Sequence, residues 1–109
     1  HCNYLSNDDI MLIKNNKVSV AACHSSNLKL KNKPCDIKKL LDNQINVIVA
    51  TDGPATNDSL SLLDSLRTTA LLTNLDSNTL LDMITINPAK YMKINSGSII
   101  EGNKADIIL

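Results

Sequence analysis

One carboxylate in this sequence stands where a carboxylate can do chemistry. Asp52 follows the apolar run Ile45 to Ala50 and is followed at once by Gly53 and Pro54, so it is held at a strand end rather than solvated on a helix face. A carboxylate so placed can ligate a divalent cation or move a proton, and Thr51-Asp52-Gly53 is equally ordinary turn chemistry. A second apolar run, Val18 to Ala22, is followed by Ser25-Ser26-Asn27, whose hydroxyl and carboxamide groups suit either a turn or a substrate-binding loop. His1 adds an imidazole at the edge of the chain.

Other constellations carry less. Cys2, Cys23, His24 and Cys35 lack the close spacing of a structural zinc set, and Cys23 and His24, being adjacent, point to opposite sides of an extended chain. Three cysteines, an odd number, read as free thiols in a reducing compartment, packed as small apolar groups. There is no Gly-rich phosphate loop, no Gly-x-Ser-x-Gly elbow and no Cys-His-Asn order, so nucleophilic covalent catalysis is not indicated.

The elements that must position these residues alternate. Ser6 and Asp9 form a capping-box start to a helix carrying Ile10, Leu12 and Ile13 and ending at Asn15-Asn16. Val18 to Ala22 reads as a strand buried on both faces, with Ser25 to Asn27 in the loop after it. Pro34 and Asp36 introduce a helix with Ile37, Leu40 and Leu41 on one face, and Ile45 to Ala50 is the next central strand. Leu60, Leu63, Leu66 and Leu71 predict an amphipathic helix from about Asp58 to Asn74, and Asp76 or Ser77 caps another running to about Met92, with Pro88 inside it. Gly97 to Leu109 reads as two short strands around Glu101-Gly102, so a boundary is expected near Ile94, dividing 1–93 from 94–109. Strands separated by helices predict a parallel α/β arrangement, with His1, Ser26-Asn27 and Asp52 together at the C-terminal edge of the strands.

A formal net charge of zero gives no field to collect phosphates, and the lysines at 29, 31, 33, 38 and 39 lack interleaved aromatics, so nucleic acid is not an expected partner. No apolar stretch approaches the ~20 residues that span a bilayer, and no signal peptide is evident, so the chain is expected to be cytoplasmic and without a membrane partner. It begins with His rather than Met and ends inside an apolar run, the look of one part of a longer protein.

His1-Cys2-Asn3-Tyr4-Leu5-Ser6, Ser26-Asn27-Leu28-Lys29-Leu30 and Ala50-Thr51-Asp52-Gly53-Pro54-Ala55-Thr56-Asn57, in this order, resemble the second half of the amidohydrolase superfamily. The branch most similar holds methylthioadenosine/S-adenosylhomocysteine deaminases, aminofutalosine deaminases and triazine chlorohydrolases. Gly97 to Asp106 resembles that family's return from the barrel into a small β-sandwich. The resemblance implies the C-terminal part of a (β/α)8 TIM-like barrel, with His1 after strand six, Ser26-Asn27 after strand seven and Asp52 after strand eight. It implies one divalent metal ion, zinc or alternatively iron, held by a His-x-His pair, a further His and an Asp, of which only Asp52 is present here. A Glu that would protonate the substrate ring is absent too.

The implied chemistry is hydrolytic deamination of a purine-nucleoside-like substrate. Asp52 would bind the metal and move the water proton, His1 would orient the attacking oxygen or polarise the electrophile, and Ser26, Asn27 and Asn57 would contact substrate. Departures from the family pattern are Ser65 beside Asp64 where a Glu is usual, His24 where Pro is common and Thr56 where Ser is frequent. The remaining partner is the rest of the chain's own barrel, with a homo-oligomer left open. By themselves these residues are expected neither to fold stably nor to turn over substrate. The alternative is a catalytically inert fragment or a binding module that keeps the fold.

Overall fold

The computed structural model describes residues 1–108. The elements run α1 (Asn7–Asn15), β1 (Val20–Ala22), α2 (His24–Lys29), α3 (Ile37–Asp42), β2 (Val47–Val49), α4 (Leu62–Thr73), α5 (Ser77–Asp82) and α6 (Ile86–Met92). The two strands pair in parallel, Val20 opposite Val47 and Ala22 opposite Val49. Among the described residues no helix is long and apolar enough to cross a membrane.

Local chemistry sets most boundaries. Ser6 and Asp9 close the expected capping box on α1, the Ser6 N–H donating to the Asp9 carboxylate at 2.8 Å. Asp36, Ser61 and Asp76 cap α3, α4 and α5 by accepting from backbone N–H groups of the first turn. Asn74 ends α4 and Lys93 ends α6, both in the left-handed region.

The core lies between one face of the strand pair and the helices. Val20, Ala22, Val47 and Val49 are buried there against Ile37, Leu40, Leu66 and Met83. Ala21, on the opposite face of β1, is exposed and Ile48 of β2 is only partly buried. The expectation of strands buried on both faces therefore fails, because helices of this chain cover one face only.

The free edge of β2 is not left open. Val47 and Val49 direct their backbone groups away from β1, and the α5–α6 junction, from the C-cap Met83 to Asn87 in the first turn of α6, meets both. The Val49 N–H donates to the Met83 carbonyl at 3.1 Å, and Asn87 Nδ2 donates to the Val47 carbonyl at 2.8 Å. The junction thus does for β2 what a further strand would do.

Four other expectations change. The segment Ser25 to Asn27 lies in the helix α2 rather than in a loop. Helix α4 starts at Leu62, and its buried face is Ser65, Leu66 and Thr69, while Leu60, Leu63 and Leu71 are exposed. Ser59, Ser61 and Asp64 bond one another ahead of it, which commits Asp58 to Ser61 to a loop. The single helix expected up to Met92 is two, separated at the junction that closes β2; Pro88 falls in the first turn of α6, where its missing N–H has no partner to lose.

No strand forms among residues 94–108, and Leu109 lies outside the described residues. A turn does form at Glu101-Gly102, but neither flank has a partner with which to build a ladder. Gly97 is fixed by proximity: at φ +86° its Cα faces the Thr85 carbonyl, and a Cβ would approach that oxygen to 2.5 Å.

Candidate active site

The strand ends bring four polar side chains from distant parts of the chain together. Asp52 follows β2 with φ +64°, a left-handed conformation that a short polar side chain tolerates better than most. Its Oδ1 accepts from the Gly53 N–H at 2.9 Å. Its Oδ2 accepts from the Ser26 hydroxyl at 2.6 Å and from the Thr56 hydroxyl at 3.0 Å. These bonds, Ser26 foremost, then Gly53 and Thr56, hold the carboxyl below the usual carboxylate range, so it is ionised at neutral pH.

His1 faces the same carboxylate, with Nε2 at 3.5 Å from Asp52 Oδ2. Its other nitrogen, Nδ1, is 3.1 Å from Asn27 Oδ1. Asn27 in turn donates from Nδ2 to Asn3 Oδ1 at 2.9 Å. Ser26 and Asn27 are consecutive on α2, so their side chains diverge, one to Asp52 and the other to His1. Both are buried, and α2 is anchored to α4 by a Ser25 to Thr68 hydroxyl contact at 3.3 Å.

Asn57 takes a different place. Its Nδ2 donates to the Thr51 carbonyl at 2.7 Å, and its Oδ1 accepts from the Ser59 N–H at 3.3 Å, so its carboxamide braces the loop that carries Asp52. The same amide is 3.5 Å from the buried Ser65 hydroxyl. Asn3 was not among the residues expected to be functional, and Thr56 stood out in the sequence only as a replacement for Ser. Four-residue spacing from Asp52 was the available signal for Thr56; nothing local marked Asn3.

The cysteines are free, with Cys23 and Cys35 buried. Burial raises both thiols, Cys35 to about 11, and Asp52 adds to the rise at Cys23. His24 is buried beside them with Nε2 at 3.1 Å from the Cys35 carbonyl, which can only accept, so this nitrogen carries the proton. Its Nδ1 has no partner among the described residues. No group of three or more His, Cys, Asp or Glu side chains among the described residues is placed to hold a metal ion. Asp52 is suited to be one ligand of a larger set: it is ionised, its side chain is 31% exposed, and among the described residues Oδ1 accepts one hydrogen bond.

This arrangement, a hydrogen-bonded Asp at one strand end and an imidazole turned toward it, coincides with a match of the amidohydrolase family's sequence pattern to residues 1–109. The chain belongs to the amidohydrolase family. Among its relatives, a 5'-deoxyadenosine deaminase of Methanococcoides burtonii is 37% identical over 117 residues, covering 100% of this chain and 27% of the relative. A 5-methylthioadenosine/S-adenosylhomocysteine deaminase of Moorella thermoacetica is 34% identical over 119 residues, covering 100% of this chain and 28% of the relative. The crystal structure of an adenosine deaminase from Xanthomonas campestris with bound zinc superposes with a TM-score of 0.91 at 33% identity, over 97% of this chain and 26% of that one. This amidohydrolase chain therefore spans about a quarter of the length of the relatives it matches.

Proposed function

We propose that the protein to which this chain contributes is a metal-dependent aminohydrolase that removes the amino group of a purine-nucleoside-like substrate by hydrolysis. The observation that carries this reading is the Asp52 carboxylate, ionised at a strand end and held 3.5 Å from the His1 imidazole. Relatives named for deamination of 5'-deoxyadenosine and of methylthioadenosine or S-adenosylhomocysteine support an adenosine-like substrate modified at its 5' position. We assign residues 1–93 to the last strands and helices of a (β/α)8 barrel, and 94–109 to the lead into a small β-sandwich.

Asp52 is the metal ligand this chain supplies, and a complete set needs donors beyond it. Zinc is the metal of choice, by analogy with the zinc bound to the Xanthomonas campestris protein, with iron the alternative. A bound divalent cation supplies Lewis acidity that brings the pKa of a water toward neutrality. Asp52 takes a proton from the attacking water and delivers it to the amino group. The water oxygen bonds to the ring carbon, the carbon–nitrogen bond breaks and ammonia leaves. His1 orients the attacking oxygen through Nε2. Ser26 and Thr56 hold the Asp52 carboxylate in place, Asn27 holds His1, and Asn57 braces the loop beneath them; in these roles they shape the substrate's surroundings.

The test is ammonia release from 5'-deoxyadenosine and methylthioadenosine by the full-length protein with zinc. Asp52→Asn is expected to lower kcat by at least ~10²-fold, as loss of an essential proton carrier does. Undiminished release by that variant, or no release by the unaltered protein, overturns the deaminase reading and favours a binding module that keeps the fold.

A further inference from the structure

The geometry points to Asn27, backed by Asn3, as a positioning residue that fixes the tautomer of His1: the imidazole proton is held on Nδ1, and the bare Nε2 is turned toward Asp52. The inference rests on the reading of His1 and Asp52 as partners in one site.

A carboxamide has an accepting end and a donating end, so fixing one end fixes the other. Asn27 Nδ2 donates to Asn3 Oδ1 at 2.9 Å, which leaves Oδ1 directed at His1 Nδ1, 3.1 Å away. An oxygen that only accepts requires a proton on the nitrogen it faces, and neutral imidazole has one proton to give. Nε2 is then a lone pair. Its 3.5 Å separation from Asp52 Oδ2 agrees, being longer than the roughly 2.7–3.2 Å of an N–H···O bond. In free histidine the proton prefers Nε2, so the protein has to impose the opposite choice.

Asn27 is built to impose it. It is 1% exposed, so water has little access to replace its carboxamide. Its N–H donates to the Cys23 carbonyl at 3.0 Å and its carbonyl accepts from the Asn32 N–H at 2.8 Å, which fixes the backbone from which the side chain projects. The consequence is functional. An Nε2–H imidazole would bond directly to the carboxylate and occupy Oδ2, whereas a bare Nε2 can accept a hydrogen bond from a water between the two residues and aim its oxygen.

The tautomer is read directly from two-bond proton–nitrogen correlation spectra of the full-length protein labelled with 15N-histidine, with the His1 signals assigned by their loss in His1→Gln. The expected result is a protonated Nδ1 and an unprotonated Nε2 in the unaltered protein. Asn27→Leu moves the proton to Nε2 and lowers kcat on the order of tenfold with little change in KM, as a misdirected acid–base group does. Asn27→Asp keeps an acceptor at Nδ1 and therefore the tautomer. Should Asn27→Leu fail to fold, Asn3→Ala serves: it releases Asn27 Nδ2 and yields a mixture of tautomers. A proton on Nε2 in the unaltered protein, or a tautomer unmoved in folded Asn27→Leu or Asn3→Ala, overturns the inference. An Nδ1–H signal in a protein that releases no ammonia would leave this relay standing and remove the deaminase reading, while ammonia release with an Nε2–H signal would do the reverse.

Discussion

The Ser26 hydroxyl donates to Asp52 Oδ2 across 2.6 Å, joining the helix that follows one strand to the residue that follows the next. It is the shortest of the hydrogen bonds on this carboxylate and the largest cause of its lowered pKa. Ser26→Ala is expected to raise the Asp52 pKa toward its ordinary value. In the proposed reaction Asp52 must be ionised to take a proton, so the acidic limb of kcat/KM is expected to move to higher pH. At neutral pH the loss is on the order of tenfold, the equivalent of one hydrogen bond to a charged group. The pH profile of ammonia release checks both.

Closure of the β2 edge by Asn87 predicts a stability effect remote from the chemistry. Asn87→Ala leaves the Val47 carbonyl without its donor, which costs about 1–3 kcal/mol for a polar group shielded from water. Urea unfolding of the full-length protein measures the loss.

Two glycines with similar backbones are expected to respond differently. Gly97 and Gly102 both have positive φ, at +86° and +89°, but only Gly97 faces the Thr85 carbonyl. Gly102→Ala is expected to lose about 1 kcal/mol through its backbone alone. Gly97→Ala adds a clash with backbone atoms and is expected to lose about 3 kcal/mol. Chemical denaturation of both variants gives the comparison.

His24 ties stability to pH. Burial lowers its pKa, so the folded protein disfavours the imidazolium that the unfolded chain forms freely. As pH falls below the unfolded value of roughly 6.5, the unfolded state binds the proton first and stability falls; the fall stops once pH passes the lower folded value. His24→Pro places Pro at the first position of α2, where its ring is tolerated, and is expected to remove this part of the slope. Thermal midpoints of both proteins between pH 5 and pH 8, taken as roughly the titration range of histidine, decide it.

The sequence by itself determined the elements that short-range chemistry controls. The Ser6–Asp9 box, the Asp36 and Asp76 caps and the valine-rich strands could be read from neighbours within four residues, because their energies are local. Asp52 could be read as a strand-end carboxylate for the same reason, and the ordered motifs around it identified the family. Tertiary structure alone decided which side of α4 is buried, since Ser65 and Thr69 lie inward while Leu63 and Leu71 face out, against the leucine spacing. It also decided that the α5–α6 junction seals β2, and that Asn3, Asn27 and His1 form one line of contacts. Those relationships join residues 24 to 40 positions apart. Each depends on where the chain returns in space, which no local pattern of side chains specifies.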